Sequence, residues 1–177
     1  MITATAAPDA PPALVAATQA VRRIIVAADP DGRVHGRCVE ASLILGWMLL
    51  QEGIPAEMRS CSVEGDPHWC IRSGDWILDP TSGQWGEEPL LVFREGSSDD
   101  WYGPGRQGPA DISKDEIVHR FALWVSPETA TPLLALAGLT HLEGAIEQAS
   151  DELRMIRATE YPEDAEDATP APSVGAA

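Results

Sequence analysis

The stretch Cys38-Val-Glu-Ala-Ser-Leu-Ile-Leu-Gly-Trp-Met-Leu-Leu-Gln-Glu-Gly53 decides the fold. Val39, Leu43, Ile44, Leu45, Trp47, Met48, Leu49 and Leu50 leave almost no polar face, and a helix that is apolar nearly all round is a buried one. Gly53 and Pro55 supply its stop signal. Cys38 therefore stands at the N-terminus of a central helix, where the helix dipole favours negative charge on a thiolate.

Upstream, Leu14, Val15, Ala17, Val21, Ile24 and Ile25 recur at helical spacing, and Pro30 closes that segment. Downstream, the pattern shortens. Ala56–Val63 and His68–Arg72 read as strands joined by a turn through Gly65, Asp66 and Pro67. Ser73-Gly74-Asp75 makes a tight turn into a third strand, Trp76–Leu78, which Asp79-Pro80-Thr81 ends because proline cannot continue a ladder. Leu90–Phe93 is a candidate edge strand, and residues 95–110 form a long loop of the kind that often carries function. The last third is helical, over Ile117–Trp124 and Pro132–Arg157, with a break at Gly138. The expected fold is α+β: a buried helix on a small antiparallel sheet, with additional C-terminal helices. One domain over residues 12–160 is expected between a disordered Ala/Pro/Thr leader, 1–11, and a disordered acidic Ala/Pro tail, 161–177.

Three residues carry chemistry in order: Cys38 opening the buried helix, His68 opening a strand and Asp79 ending the next. An imidazole can take a thiol proton and later protonate a leaving group. A carboxylate can hold that imidazole in one tautomer and stabilise its cation. Neighbouring antiparallel strands can set His68 and Asp79 side by side. The Cys38 backbone N–H is a candidate oxyanion donor.

The blocks Gly36-Arg37-Cys38, Gly53-Ile54-Pro55-Ala56, His68-Trp69 and Trp76-Ile77-Leu78-Asp79-Pro80-Thr81 together resemble the transglutaminase-like branch of the papain-fold cysteine enzymes. Residues 36–40 also resemble the nucleophile block of arylamine N-acetyltransferases, but Asp79-Pro80-Thr81 favours the transglutaminase-like branch. The resemblance covers about residues 33–85. It implies a papain-like core and a Cys38–His68–Asp79 triad that transfers acyl groups through a thioester on Cys38. The substrate would be an amide, ester or thioester of a peptide or small metabolite. Water as acceptor makes such an enzyme a hydrolase; an amine makes it an acyltransferase.

Other readings compete. A relative that keeps the fold without turnover would be a binding module. His35, Cys38, Cys61, His68 and Cys70 offer enough ligands for a structural zinc, though no regular Cys-x2-Cys spacing is present. Arg37 and Trp69 are candidate substrate contacts, against surface ion pairing for the arginine and core cover for the tryptophan. Cys70 shares a strand face with His68 and is expected to pack. No cofactor is expected, calcium included, because no loop shows clustered ligand spacing.

The composition narrows the partners. The chain has 177 residues, 28 of them acidic against 12 basic, for a formal charge of -16. Such acidity argues against binding nucleic acid, which needs a basic footprint, and against docking on anionic lipid. No apolar run approaches the ~20 residues of a membrane span. The N-terminus lacks the basic region of a secretory signal, so a cytoplasmic location is expected. A peptide or small acyl substrate is the expected partner.

Overall fold

The computed structural model describes residues 5–63, 65–84, 89–97, 100, 102–105 and 110–160. They form an α+β unit in which a curled antiparallel half-barrel sheet packs against helices. In chain order the elements are α1 (Pro12–Ala28), α2 (Cys38–Gln51), β1 (Glu57–Val63), β2 (Asp66–Ser73), β3 (Trp76–Leu78), β4 (Val92–Arg94), β5 (Gly103–Pro104), β6 (Ala110–Asp111), α3 (Lys114–Trp124), α4 (Pro127–Ala137) and α5 (Glu143–Glu160), with one 3-10 turn at Thr140–Leu142. The strands run β4-β3-β2-β1-β5, and β6 also pairs with β1.

Helix α2 is the centre of the molecule, as its sequence requires. Ala41, Leu43, Ile44, Leu45 and Leu49 are essentially inaccessible to water. Each large side chain so buried contributes about 1.5–3 kcal/mol. Gly46 normally costs a helix about 1 kcal/mol relative to alanine. Here it makes room: a Cβ at that position would lie 2.6 Å from Ile112 Cδ1 and 3.6 Å from Ile71 Cδ1. The helix ends in a Schellman motif. Gly53 takes φ 72°, its N–H donates to Leu50 O at 3.3 Å, and the Ile54 N–H donates to Leu49 O at 2.9 Å.

The sheet has two distinct faces. Met58, Ile71, Trp76, Leu78 and Val92 join the main core beneath the helices. Cys61, Val63, Cys70, Ile77 and Phe93 point the other way and build a smaller core with Tyr102. The period of two along each strand produces this division. The β2–β3 turn needs only Gly74 and Asp75, since Ser73 pairs with Trp76, and Gly74 supplies the positive φ of 58°.

Helix α1 lays Leu14, Thr18, Val21 and Ile25 against the core, a stripe at helical period. Beside that stripe Arg22 Nη1 donates to Pro80 O at 2.8 Å and Ser82 O at 2.7 Å, tying α1 to the loop after β3. Arg22→Met is expected to lower the unfolding free energy by about 2 kcal/mol, because charge-assisted bonds to two carbonyls are lost. A urea titration measures this, and an unchanged midpoint would show that the clamp contributes nothing.

Several expectations are refined. The Ala/Pro/Thr composition suggested a disordered leader, but residues 5–11 are docked. Thr5 N–H donates to Pro89 O at 3.0 Å, Leu91 N–H to Thr5 O at 2.8 Å, and Ala7 N–H to Val92 O at 2.8 Å. Arg94 Nη2 pairs with Asp9 Oδ2 at 2.9 Å. The physical reason is the free backbone edge beside β4, which the leader caps. Residues 1–4 and the proposed tail, 161–177, lie outside the described residues. The long loop contributes β5 and β6, both paired with β1, which composition did not reveal. Gly138 breaks the C-terminal helices as expected, with φ 70° at the end of α4. Among the described residues no helix is long and apolar enough to cross a membrane.

Candidate active site

The β2–β3 hairpin builds the site. Ile71 pairs with Leu78, so extending the register by one residue sets Asp79 opposite Cys70, on the same sheet face as His68. The ladder stops there because Pro80 follows, and Asp79 N–H turns to Leu91 O at 2.9 Å. The Asp79 carboxylate then closes its own turn, accepting from Thr81 N–H and Thr81 Oγ1, both at 2.8 Å on Oδ1. Its other oxygen, Oδ2, meets His68 Nε2 at 2.8 Å and accepts the Tyr102 hydroxyl. Asp79 is thus both turn residue and histidine partner, with each oxygen hydrogen-bonded twice.

His68 and Asp79 are both completely buried. Cys38, at the first position of α2, lies beside His68, whose pKa it raises, and remains partly exposed. The structure therefore brings Cys38, His68 and Asp79 into one line, reaching from the partly exposed thiol to the buried carboxylate. Burial opposes charge on the imidazole, but the hydrogen bonds to Asp79 and Cys38 and the negative charge of Asp79 outweigh it and push His68 up to about 10. Burial likewise opposes charge on Asp79. The hydrogen bond and charge of His68, with bonds from Tyr102 and Thr81, outweigh it and hold the carboxyl below its usual value. The Tyr102 hydroxyl is pushed well above its ordinary value by burial and by Asp79, so it stays a donor. Its ring meets His68 edge-on, with centroids 5.3 Å apart.

The sequence reading missed three contributors. Tyr102 lies in the loop read as functional, where no motif marks it. Arg22 lies on α1, far from the site in sequence. Gln84 lies in the turn after Asp-Pro-Thr: its Oε1 accepts from Gly36 N–H at 3.2 Å, and its Nε2 stands 3.1 Å from His68 Nδ1. No sequence signal distinguishes it from an ordinary turn residue.

The two candidate substrate contacts are placed differently from the thiol and the imidazole. Arg37 Nη1 turns to Glu40 Oε1 at 3.2 Å, forming a salt bridge within the first turn of α2. Trp69 points to the opposite sheet face from His68, because adjacent strand residues alternate. There it stacks on Trp124 with centroids 5.5 Å apart and lines a groove with Ser60, Ser62 and Pro104. Arg37 is thus ion-paired at the start of α2, and Trp69 is half-buried against the main core.

Cys70 packs as expected: it is inaccessible, and its thiol sits 3.8 Å from Arg59 O and against Cys61. Cys61 is equally buried, with its thiol 3.5 Å from His68 O. Among the described residues, no group of three or more His, Cys, Asp or Glu side chains is arranged to hold a metal ion.

Chemically, the array offers a thiol at a helix N-terminus, a base in contact with it, and a carboxylate that orients the base. No protein-family model matches the chain, and no curated protein or solved structure is significantly similar to it.

Proposed function

We propose that the protein is a cysteine-dependent acyl-transfer enzyme of papain-like, transglutaminase-like design, using Cys38 as nucleophile, His68 as base and acid, and Asp79 to orient His68. The observation that carries this reading is the His68–Asp79 hydrogen bond with Cys38 beside His68, Asp79 being buried and every contact to it a donor. A carboxylate so placed fixes one imidazole orientation and supports the charge that forms when the thiol proton moves.

The reaction follows from these roles. His68 takes the Cys38 proton, and the sulfur attacks the carbonyl carbon of an amide, ester or thioester. The carbon–heteroatom bond breaks, and His68 returns the proton to the departing group, leaving an acyl group on Cys38. Water or an amine then attacks the thioester with His68 as base, and the Cys38 thiol is regenerated. Water makes the protein a hydrolase, and an amine makes it an acyltransferase. The substrate class is a peptide or small-metabolite acyl compound.

The test uses p-nitrophenyl acetate as a generic acyl donor, with the adduct located by peptide mass spectrometry. Cys38 in the folded protein should be acylated at least about 100-fold faster than in the same chain unfolded in urea, the usual worth of a positioned base. Equal rates would reduce the fold to a binding module.

A further inference from the structure

Gln84 has no task in this scheme, yet it bridges His68 and Gly36, two residues before Cys38. Its carboxamide is fixed in orientation. The Gly36 N–H can only donate, so the atom facing it is the oxygen, at 3.2 Å. The nitrogen therefore faces His68 Nδ1, at 3.1 Å. An amide nitrogen also only donates, so this contact is a hydrogen bond when the ring is neutral with its proton on Nε2, where Asp79 accepts it, and it opposes protonation of Nδ1.

Two consequences follow. Nε2 is engaged by Asp79, so Nδ1 is the atom left to exchange a proton with Cys38, and the Gln84 amide nitrogen stands against it. Asp79 favours the imidazolium while Gln84 opposes it. Second, the carboxamide bridges two groups that a substrate amide would need. Its carbonyl oxygen rests on a backbone N–H two residues before the nucleophile, and its nitrogen rests against the group that must protonate a leaving amine. Gly36 takes φ 72°, a conformation that glycine adopts without strain.

We propose that Gln84 is an internal stopper of the acyl position: it stands where a substrate amide binds, the Gly36 N–H is a carbonyl-oxygen donor alongside the Cys38 N–H, and substrate reacts only after the Gln84 side chain withdraws. This rests on the acyl-transfer reading above and adds to it a second oxyanion donor and a gating residue. Gln84 is only partly buried, and its backbone lies in a turn rather than in a helix or strand. Its side chain can leave by rotation about its own bonds, on the fast timescale of rotamer exchange.

The experiment measures acylation of Cys38 by p-nitrophenyl acetate across the pH range in the full-length protein and in Gln84→Ala and Gln84→Asn. Asparagine keeps the amide but is one methylene short of spanning Gly36 and His68. Both variants should acylate about tenfold faster than the parent, the equivalent of one released hydrogen bond. The acidic limb of their rate–pH profile should also move to lower pH, because the imidazolium–thiolate pair no longer meets a fixed donor. A merely structural role would not raise the rate or move that limb. Unchanged or slower acylation in both variants, with Cys38 still reacting well ahead of its rate in the urea-unfolded chain, overturns the stopper and leaves the acyl-transfer reading standing. Folded Cys38 no faster than unfolded Cys38 in all three proteins overturns both.

Discussion

Asp79→Ala is expected to cost about 3–5 kcal/mol of unfolding free energy, the usual penalty for removing one partner of a buried ion pair. The deletion strands four donors at once: His68 Nε2–H, the Tyr102 hydroxyl, the Thr81 N–H and the Thr81 hydroxyl. Asp79→Asn separates stability from chemistry. Its carboxamide oxygen can still accept from Thr81, which leaves the amide nitrogen facing His68. That nitrogen donates, so Nε2 must become the acceptor and the ring proton moves to Nδ1, where it blocks proton transfer from Cys38. Acylation of Cys38 should then fall by up to about 10⁴-fold, the scale seen when an orienting carboxylate is amidated, while the fold is weakened far less than by alanine. Paired urea titrations and acylation rates measure both effects. An asparagine variant that acylates at the parental rate would remove Asp79 from the mechanism.

The stability of the fold should also fall as the solution becomes alkaline. His68 has its pKa raised from 6.5 to about 10 in the folded protein. A group with a raised folded value contributes stability that is fully present below the unfolded value and is lost as pH rises through the folded one. The His68–Asp79 pair should therefore stabilise fully below pH 6.5 and decline up to about pH 10. The total loss is on the order of 5 kcal/mol. Asp79 acts in the opposite sense: its lowered value contributes stability that is present above 3.8 and lost as pH falls below it. Tyr102, raised from 10.0, affects only the far alkaline side. Urea unfolding at a series of pH values should show a broad maximum in mildly acidic solution. In Asp79→Asn the decline between neutral and alkaline pH should flatten. A parent protein equally stable at pH 6.5 and pH 10 would mean that His68 is neutral throughout.

Much of this architecture was legible in the residues. The apolar run from Val39 to Leu50 has no polar face, so it could only be a buried helix, and the start of that helix had to carry Cys38. Ser73-Gly74-Asp75 permits a two-residue turn, and the strand period then places His68 and the residue after Leu78 on one face. Asp79-Pro80-Thr81 reads as a strand end because proline interrupts the ladder. These are local rules, and they were enough to find the three residues that meet. They were also enough to locate the break at Gly138, where a positive φ ends α4.

Composition misled where a tertiary edge was available. Residues 5–11 carry no periodic signal, but the edge beside β4 offers backbone groups to any extended segment nearby, and the leader takes them. Trp69, a candidate for core cover or substrate contact, takes its place by strand alternation. It is next to His68 in sequence and on the other face in space, since neighbouring strand residues point apart.

By itself the sequence determined the buried helix, the hairpin and the order Cys38, His68, Asp79. Periodicity, turn chemistry and helix-stop signals act over a few residues, and each is written in a contiguous stretch. Only the tertiary structure decided what surrounds those three residues: Tyr102 on the carboxylate, Arg22 on the loop that carries it, and Gln84 between Gly36 and the imidazole. Those contacts join residues 23, 58 and 48 positions apart. Nothing local specifies such pairings. They arise when the curled sheet and α2 close on each other and leave buried donors and acceptors that must find partners.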